Sequence, residues 1–202
     1  MEGTPNIMKL YTSNPLKKRQ NLGWYSIVCM DRKMCDYIKV KSPDSNIFFI
    51  LLHYACQLEK ATVLFDTGSG NVQRLINITE IAKTFTPKHC TALLTLHAYS
   101  GWDSTSAFKG IGKVKPIKTL QLMPNFIPVF SSLGDTWEIS DDLIKDLEKF
   151  TCAMYGRSRF TSVDELRYFL NKEKCTTGDS LNPSKIWTWD HFLQVKCAWF
   201  SI

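Results

Sequence analysis

The feature that most constrains this chain is the run Ile47-Phe48-Phe49-Ile50-Leu51-Leu52-His53-Tyr54-Ala55, in which His53 is the one strongly polar side chain. A bilayer span needs about 20 apolar residues, so this run is too short to cross a membrane. Its ends bear on its fate. Ser42-Pro43-Asp44 precedes it as a turn signal, and Ser45 or Asn46 can cap a helix there. A helix apolar on nearly every side has to be mostly buried. Strand patterns stand on both sides: Asp36-Tyr37-Ile38-Lys39-Val40 before it and Ala61-Thr62-Val63-Leu64-Phe65-Asp66 after it. With helical patterns dominating later, the order predicts an α/β core with a helical C-terminal part. The 44% hydrophobic content is enough to offset the entropy of ordering, which excludes a mainly disordered chain, and 10 Gly and 8 Pro exclude collagen-like composition.

Downstream, Thr67-Gly68-Ser69-Gly70-Asn71 is a turn that returns the chain as a strand over residues 72–78. Thr79 and Glu80 open a short helix. Thr86-Pro87 opens a longer one that runs to Tyr99 and stops at Ser100-Gly101. Pro124 and Pro128 predict a loop over residues 123–133. Ser140, followed by Asp141 and Asp142, caps a helix with apolar Leu143, Ile144, Leu147, Phe150 and Met154, ended by Gly156. Ser162 and Glu165 have capping-box spacing before another helix. Residues 1–22 read as a loose polar arm containing Lys17-Lys18-Arg19, and residues 24–34 as a short apolar stretch of no definite type. The expected organisation is an arm over 1–22, a core over 23–135 and a helical extension over 136–202. Residues 1–9 have no apolar signal core, so an intracellular location, the nucleus included, is the expectation, as is the absence of a membrane partner.

Seven cysteines without an export signal read as reduced, buried thiols. No C-x-x-C occurs, and the closest pair, Cys29 and Cys35, lacks zinc spacing. His53 and His97 fall on apolar helices and read as hydrogen-bonded core residues. No G-x-S-x-G supports a serine nucleophile. The formal charge of +6 is compatible with an anionic partner. Positive charge gathers where two glycines alternate, in Lys109-Gly110-Ile111-Gly112-Lys113-Val114-Lys115, with Lys118 beyond and Pro116 expected to break a helix. Glycines let a backbone approach a phosphate closely, and lysines hold it without reading sequence.

Residues 42–46, Leu51-Leu52-His53-Tyr54, Phe65-Asp66-Thr67-Gly68-Ser69-Gly70, Leu75-Ile76-Asn77-Ile78 and the continuous stretch from Gly101-Trp102-Asp103 to Gly110-Ile111-Gly112-Lys113 carry a resemblance. Together they resemble PIN-like domains of the flap-endonuclease (5′ nuclease) type, as found in mobile-element-associated animal proteins. The likeness covers residues 36–125 closely and 140–175 loosely. It implies a three-layer α/β/α fold with a mostly parallel sheet, a β-hairpin insertion and a helical-hairpin motif. It also implies Asp44, Asn46 and Asp103 as the metal-site positions, with Mg or Mn as the cofactor in an active member. Lys109, Gly110, Gly112, Lys113 and Lys115 then hold a DNA or RNA backbone. Two-cation phosphodiester hydrolysis needs several hard oxygen ligands, with the metals about 4 Å apart. Asp66, although it ends a strand, reads as a turn residue.

The sequence departs from the family pattern in ways that bear on catalysis. Asn46 stands where the family's second acid falls, bringing an oxygen without charge. Trp102 is the middle residue of the Gly-x-Asp motif. Residues 3–35 hold a single acid, Asp31, so the expected acidic pair is missing, and the chain reads as lacking the family's first strand and its acid. The expectation is therefore a nuclease-derived domain with impaired catalysis and no certain catalytic residue, which keeps a hold on DNA or RNA. The alternatives are an active Mg- or Mn-dependent structure-specific nuclease, and a protein-interaction module using Trp187, Trp189, Trp199 and Phe200.

Overall fold

The computed structural model describes residues 7–11, 36–56, 58, 61–101, 107–108, 110–135 and 140–177. The expected apolar stretch at 24–34, the Lys17-Lys18-Arg19 triplet and the tryptophans at 187, 189 and 199 lie outside them. The fold is α/β. By compactness it divides into two units, Met1–Leu94 and Thr95–Phe200. The division falls after residue 94, whereas the boundary expected after 135 lies inside the second unit.

The first unit is built on a four-stranded sheet in the order β1-β2-β3-β4. Strand β1 (Ile7–Tyr11) pairs in parallel with β2 (Tyr37–Lys41), and β2 in parallel with β3 (Thr62–Thr67). Strand β4 (Arg74–Asn77) runs antiparallel to β3 as the returning arm of the hairpin. β1 corrects the expectation of a loose arm over 1–22 for these five residues, and with it the expectation that no strand precedes β2. Ile7, Met8, Leu10 and Tyr11 suit a strand, but Asn, Pro, Thr and Ser on both sides mask so short a signal.

Helix α1 (Ser45–Ala55) crosses between β2 and β3 and buries Ile47, Ile50, Leu51, Leu52 and Ala55. Ile47, Leu51, Leu52 and Ala55 pack with Ile38, Val40, Val63 and Phe65, which alternate along β2 and β3 and so share one sheet face. The expected cap is corrected: Asp44, not Ser45 or Asn46, is the N-cap, its carboxylate accepting from the Asn46 N–H. The hairpin's return is also shorter than expected. Residues 70–72 form a 3₁₀ turn, and β4 stops at Asn77, where helix α2 (Ile78–Lys83) begins with the Asn77 side chain accepting from Glu80 N–H. Thr79 Oγ1 then takes the Val63 N–H at 2.9 Å, so a side chain of α2 stands in for the ladder partner that β4 no longer offers. Helix α3 (Pro87–Tyr99) starts at the expected proline and extends beyond this unit's last residue.

The second unit is helical. After the end of α3 come α4 (Val114–Leu122), α5 (Ile127–Ser132), α6 (Asp141–Met154) and α7 (Val163–Thr177). Two proline readings are corrected. Pro116 lies in the first turn of α4, where no backbone donor is needed, and does not break it. Pro124 and Pro128 open a 3₁₀ turn and α5, so residues 124–132 are helical and not a loop. Ser140 caps α6 as expected, its Oγ accepting the Leu143 N–H. At the start of α7, Ser162 Oγ accepts from Asp164 N–H, and Glu148 of α6 accepts from Val163 N–H. The core is aromatic. Phe150 sits edge-on to Phe130 (4.7 Å between centroids) and Phe126 (5.3 Å), and Tyr99 touches Phe130 and Phe108. Each such pair adds about 0.5–1.5 kcal/mol beyond area burial. Among the described residues no helix is long and apolar enough to cross a membrane.

Candidate functional site

Two places carry the sequence-predicted residues, one in each unit. In the first unit, the chain leaves β2 through residues 42–46. Ser42 is buried and its N–H donates to the Asp66 carbonyl at 3.0 Å, which holds the turn against β3. Asp44 N–H donates to Ser42 Oγ (3.1 Å), and the Asp44 carboxylate accepts from Asn46 N–H (2.8 Å) and Asn46 Nδ2 (3.3 Å). Asp44 is exposed and Asn46 is buried. So Asp44 and Asn46 do meet, as acceptor and donor, and the carboxylate serves the positive end of α1.

That geometry bears on a metal. Mg or Mn is held by several hard oxygens in near-octahedral array. Each Asp44 oxygen already accepts from Asn46, and Asn46 offers an amide, not a second charge. Asp103 lies outside the described residues, and among them no three His, Cys, Asp or Glu side chains gather as cation ligands. The described donors do not make up a two-cation centre.

Asp66 is the acid the sequence reading undervalued. It is buried, pairs with Lys39 Nζ at 3.0 Å and accepts from Gln73 Nε2 at 2.8 Å. The Gln73 bond is the turn contact expected of it; the Lys39 pair is not. Register explains the pair. Asp66 stands beside Lys41 and diagonal to Lys39, on the sheet face opposite Ile38 and Val40. The hydrogen bond from Gln73, then that from Lys39, hold its carboxyl below the usual carboxylate range. The signal was legible as period-2 lysines facing an acid, but it needed the strand register to be read.

In the second unit, the chain turns from α3 into α4 through the glycine pair. Phe108 and Ile111 are buried and anchor this turn, with Ile111 N–H donating to the Phe108 carbonyl at 3.2 Å. Gly110 and Gly112, on either side of Ile111, are both exposed. Gly110 has φ +73, a region that favours glycine; Gly112 does not have a positive φ. Beyond the chain neighbours, a Cβ placed on either would meet no atom of the described residues within 4 Å. Lys115 and Lys118 are exposed on α4. Lys109 lies outside the described residues.

Lys113 has a different partner from the one its motif suggests. Its Nζ donates to the His97 carbonyl (2.9 Å), to Ser100 Oγ (3.4 Å) and to the Gly101 carbonyl. These acceptors sit at the negative end of α3, where a cation is favoured. Lys113 thus clamps the turn to the helix before it. His97 is buried beneath, and burial first, then the Lys113 charge, push its imidazole down to about 3, so it stays neutral. His53 of the first unit is half-buried with Nδ1 3.3 Å from Thr91 Oγ1. No protein family, no curated protein and no solved structure matches this chain.

Proposed function

We propose that this chain is a PIN-like, nuclease-derived domain that holds a DNA or RNA backbone at the Gly110–Gly112 turn and is impaired in catalysis. The observation that carries the reading is Gly112. Its φ is not positive, and beyond its chain neighbours no atom of the described residues stands within 4 Å of where a Cβ would be. Among the described residues neither strain nor packing asks for glycine there, which fits a backbone that an outside group approaches. Lys115 and Lys118 supply charge on the same helix that the turn opens, and Lys109 joins them by sequence. Lys113 positions the turn through the His97 and Gly101 carbonyls and Ser100 Oγ.

Impairment is supported at Asp44 and Asn46, where the second position brings a neutral amide in place of a carboxylate and donates to the first. The parallel run β1-β2-β3, the hairpin to β4 and a turn bearing Asp44 beyond the end of β2 are in keeping with the PIN-like resemblance. The test uses the full chain with labelled single-stranded and flap DNA, followed by fluorescence anisotropy. The expected result is salt-sensitive binding that falls about tenfold in Gly112→Val, the size of one lost charge-assisted contact, with an unchanged unfolding midpoint. Equal affinity in Gly112→Val overturns the assignment of the turn. With Mn²⁺ added, no cleavage is expected; cleavage abolished by Asp44→Ala would establish the active alternative.

A further inference from the structure

The seven cysteines read in sequence as reduced, buried thiols, yet the structure sets two of them face to face. Cys56 follows α1 directly and Cys90 lies in the first half of α3, 34 residues apart in the chain. Their sulfurs are 2.9 Å apart. That is inside van der Waals contact, and less than about 1 Å of approach separates it from an S–S bond of about 2.05 Å. The two thiols differ in access: Cys56 is half-buried and Cys90 fully buried in the core of the first unit. A second tie, between His53 and Thr91, holds the same two helices together, so the sulfurs face each other from elements fixed at a neighbouring point.

We propose that Cys56 and Cys90 are a redox couple, closing into an intramolecular disulfide when the chain meets an oxidising low-molecular-weight disulfide such as oxidised glutathione. The step balances by exchange. The Cys56 thiolate attacks one sulfur of the small disulfide, forming a mixed disulfide and releasing one small thiolate. Cys90 gives up its proton and attacks Cys56 Sγ, forming the protein disulfide and releasing the second thiolate. The protein loses two electrons and two protons, and the oxidant is reduced to two thiols. Exposure makes Cys56 the entry point and Cys90 the resolving residue. Burial and the neighbouring Cys56 push the Cys90 thiol up to about 12, which keeps it protonated and inert until its partner is modified. The bond would fasten the end of α1 to α3 across the loop that carries the hairpin.

The test is a titration of the full chain with mixtures of reduced and oxidised glutathione, quenched by alkylation and mapped by peptide mass spectrometry. Expected is a Cys56–Cys90 linked peptide, a protein lighter by two hydrogens, and loss of two alkylatable thiols. In Cys90→Ser the mixed disulfide on Cys56 should accumulate, because nothing resolves it; in Cys56→Ser, Cys90 should remain alkylatable only after unfolding. A wild-type chain that stops at glutathionylated Cys56, or that links Cys56 to another cysteine, overturns the proposal. The wild-type map decides the matter even where a variant fails to fold.

Discussion

Removing one hydroxyl at a time from the second unit's buried polar chain gives an ordered prediction. Thr151 Oγ1 stands 2.8 Å from the Leu147 carbonyl and 2.7 Å from Tyr99 Oη, and Tyr99 Oη is 3.4 Å from the same carbonyl. The Leu147 carbonyl can only accept, and Thr151 lies nearer to it than Tyr99 does, which assigns the Thr151 proton to Leu147 and the Tyr99 proton to Thr151. Tyr99→Phe therefore leaves no donor stranded: Thr151 still donates to Leu147. The expected loss is that of one neutral hydrogen bond, about 1 kcal/mol. Thr151→Val removes the nearer acceptor of a fully buried phenol and leaves it the longer contact to Leu147; its expected loss is about 1–3 kcal/mol. With both changed, the stranded donor is gone, so the double variant should lose less than the two singles combined, by about 1 kcal/mol. Urea unfolding followed by far-ultraviolet circular dichroism measures all three. The reasoning is refuted if Tyr99→Phe is the more damaging single change, or if the two losses simply add.

Other expectations follow from single contacts. Because Gln73 and Lys39 hold the Asp66 carboxyl below its usual range, the folded chain takes up that proton at lower pH than the unfolded chain. The stability it brings is complete above the unfolded value of about 4 and is lost as pH falls through the folded one; Asp66→Asn should flatten the urea midpoint in that acidic window, and an unchanged pH profile would contradict the pairing. Gly68 has φ +81, and an added Cβ would collide with the Val72 carbonyl, so Gly68→Ala should cost about 1–3 kcal/mol, checked by thermal unfolding. Ser140→Ala deletes the hydroxyl that takes the Leu143 N–H and should cost about 1 kcal/mol in the same assay.

How much of this was legible in the sequence depended on whether the signal was local. Strands β2 and β3 showed in the alternation of Ile38 and Val40 and of Val63 and Phe65, and α6 in Ser140 with Leu147, Phe150 and Met154. Local too, but misread, were the prolines: Pro116, Pro124 and Pro128 all stand at helix starts, where the same ring that breaks an interior is tolerated. The resemblance implies Asp44 as a metal-site position, and the structure adds that it caps α1, a contact that shows only in the direction of Asn46 N–H. Tertiary partners were out of reach. Lys39 and Asp66 meet through parallel register, Lys113 through the path of the turn, and Cys56 and Cys90 across 34 residues. Asp103 and Lys109, on which the resemblance leans, lie outside the described residues.

The central claim is that the glycine turn and its exposed lysines hold a nucleic-acid backbone by charge. Its most direct measurement is the slope of the logarithm of the binding constant against the logarithm of salt concentration, for single-stranded DNA with wild type, Lys115→Ala and Lys113→Ala. Each phosphate neutralised on a single strand steepens that slope by about 0.7. The account predicts a negative wild-type slope that flattens by about 0.7 in Lys115→Ala, with a smaller change in Lys113→Ala, whose ammonium already serves α3. A wild-type slope near zero, or one that Lys115→Ala leaves unchanged, would contradict it.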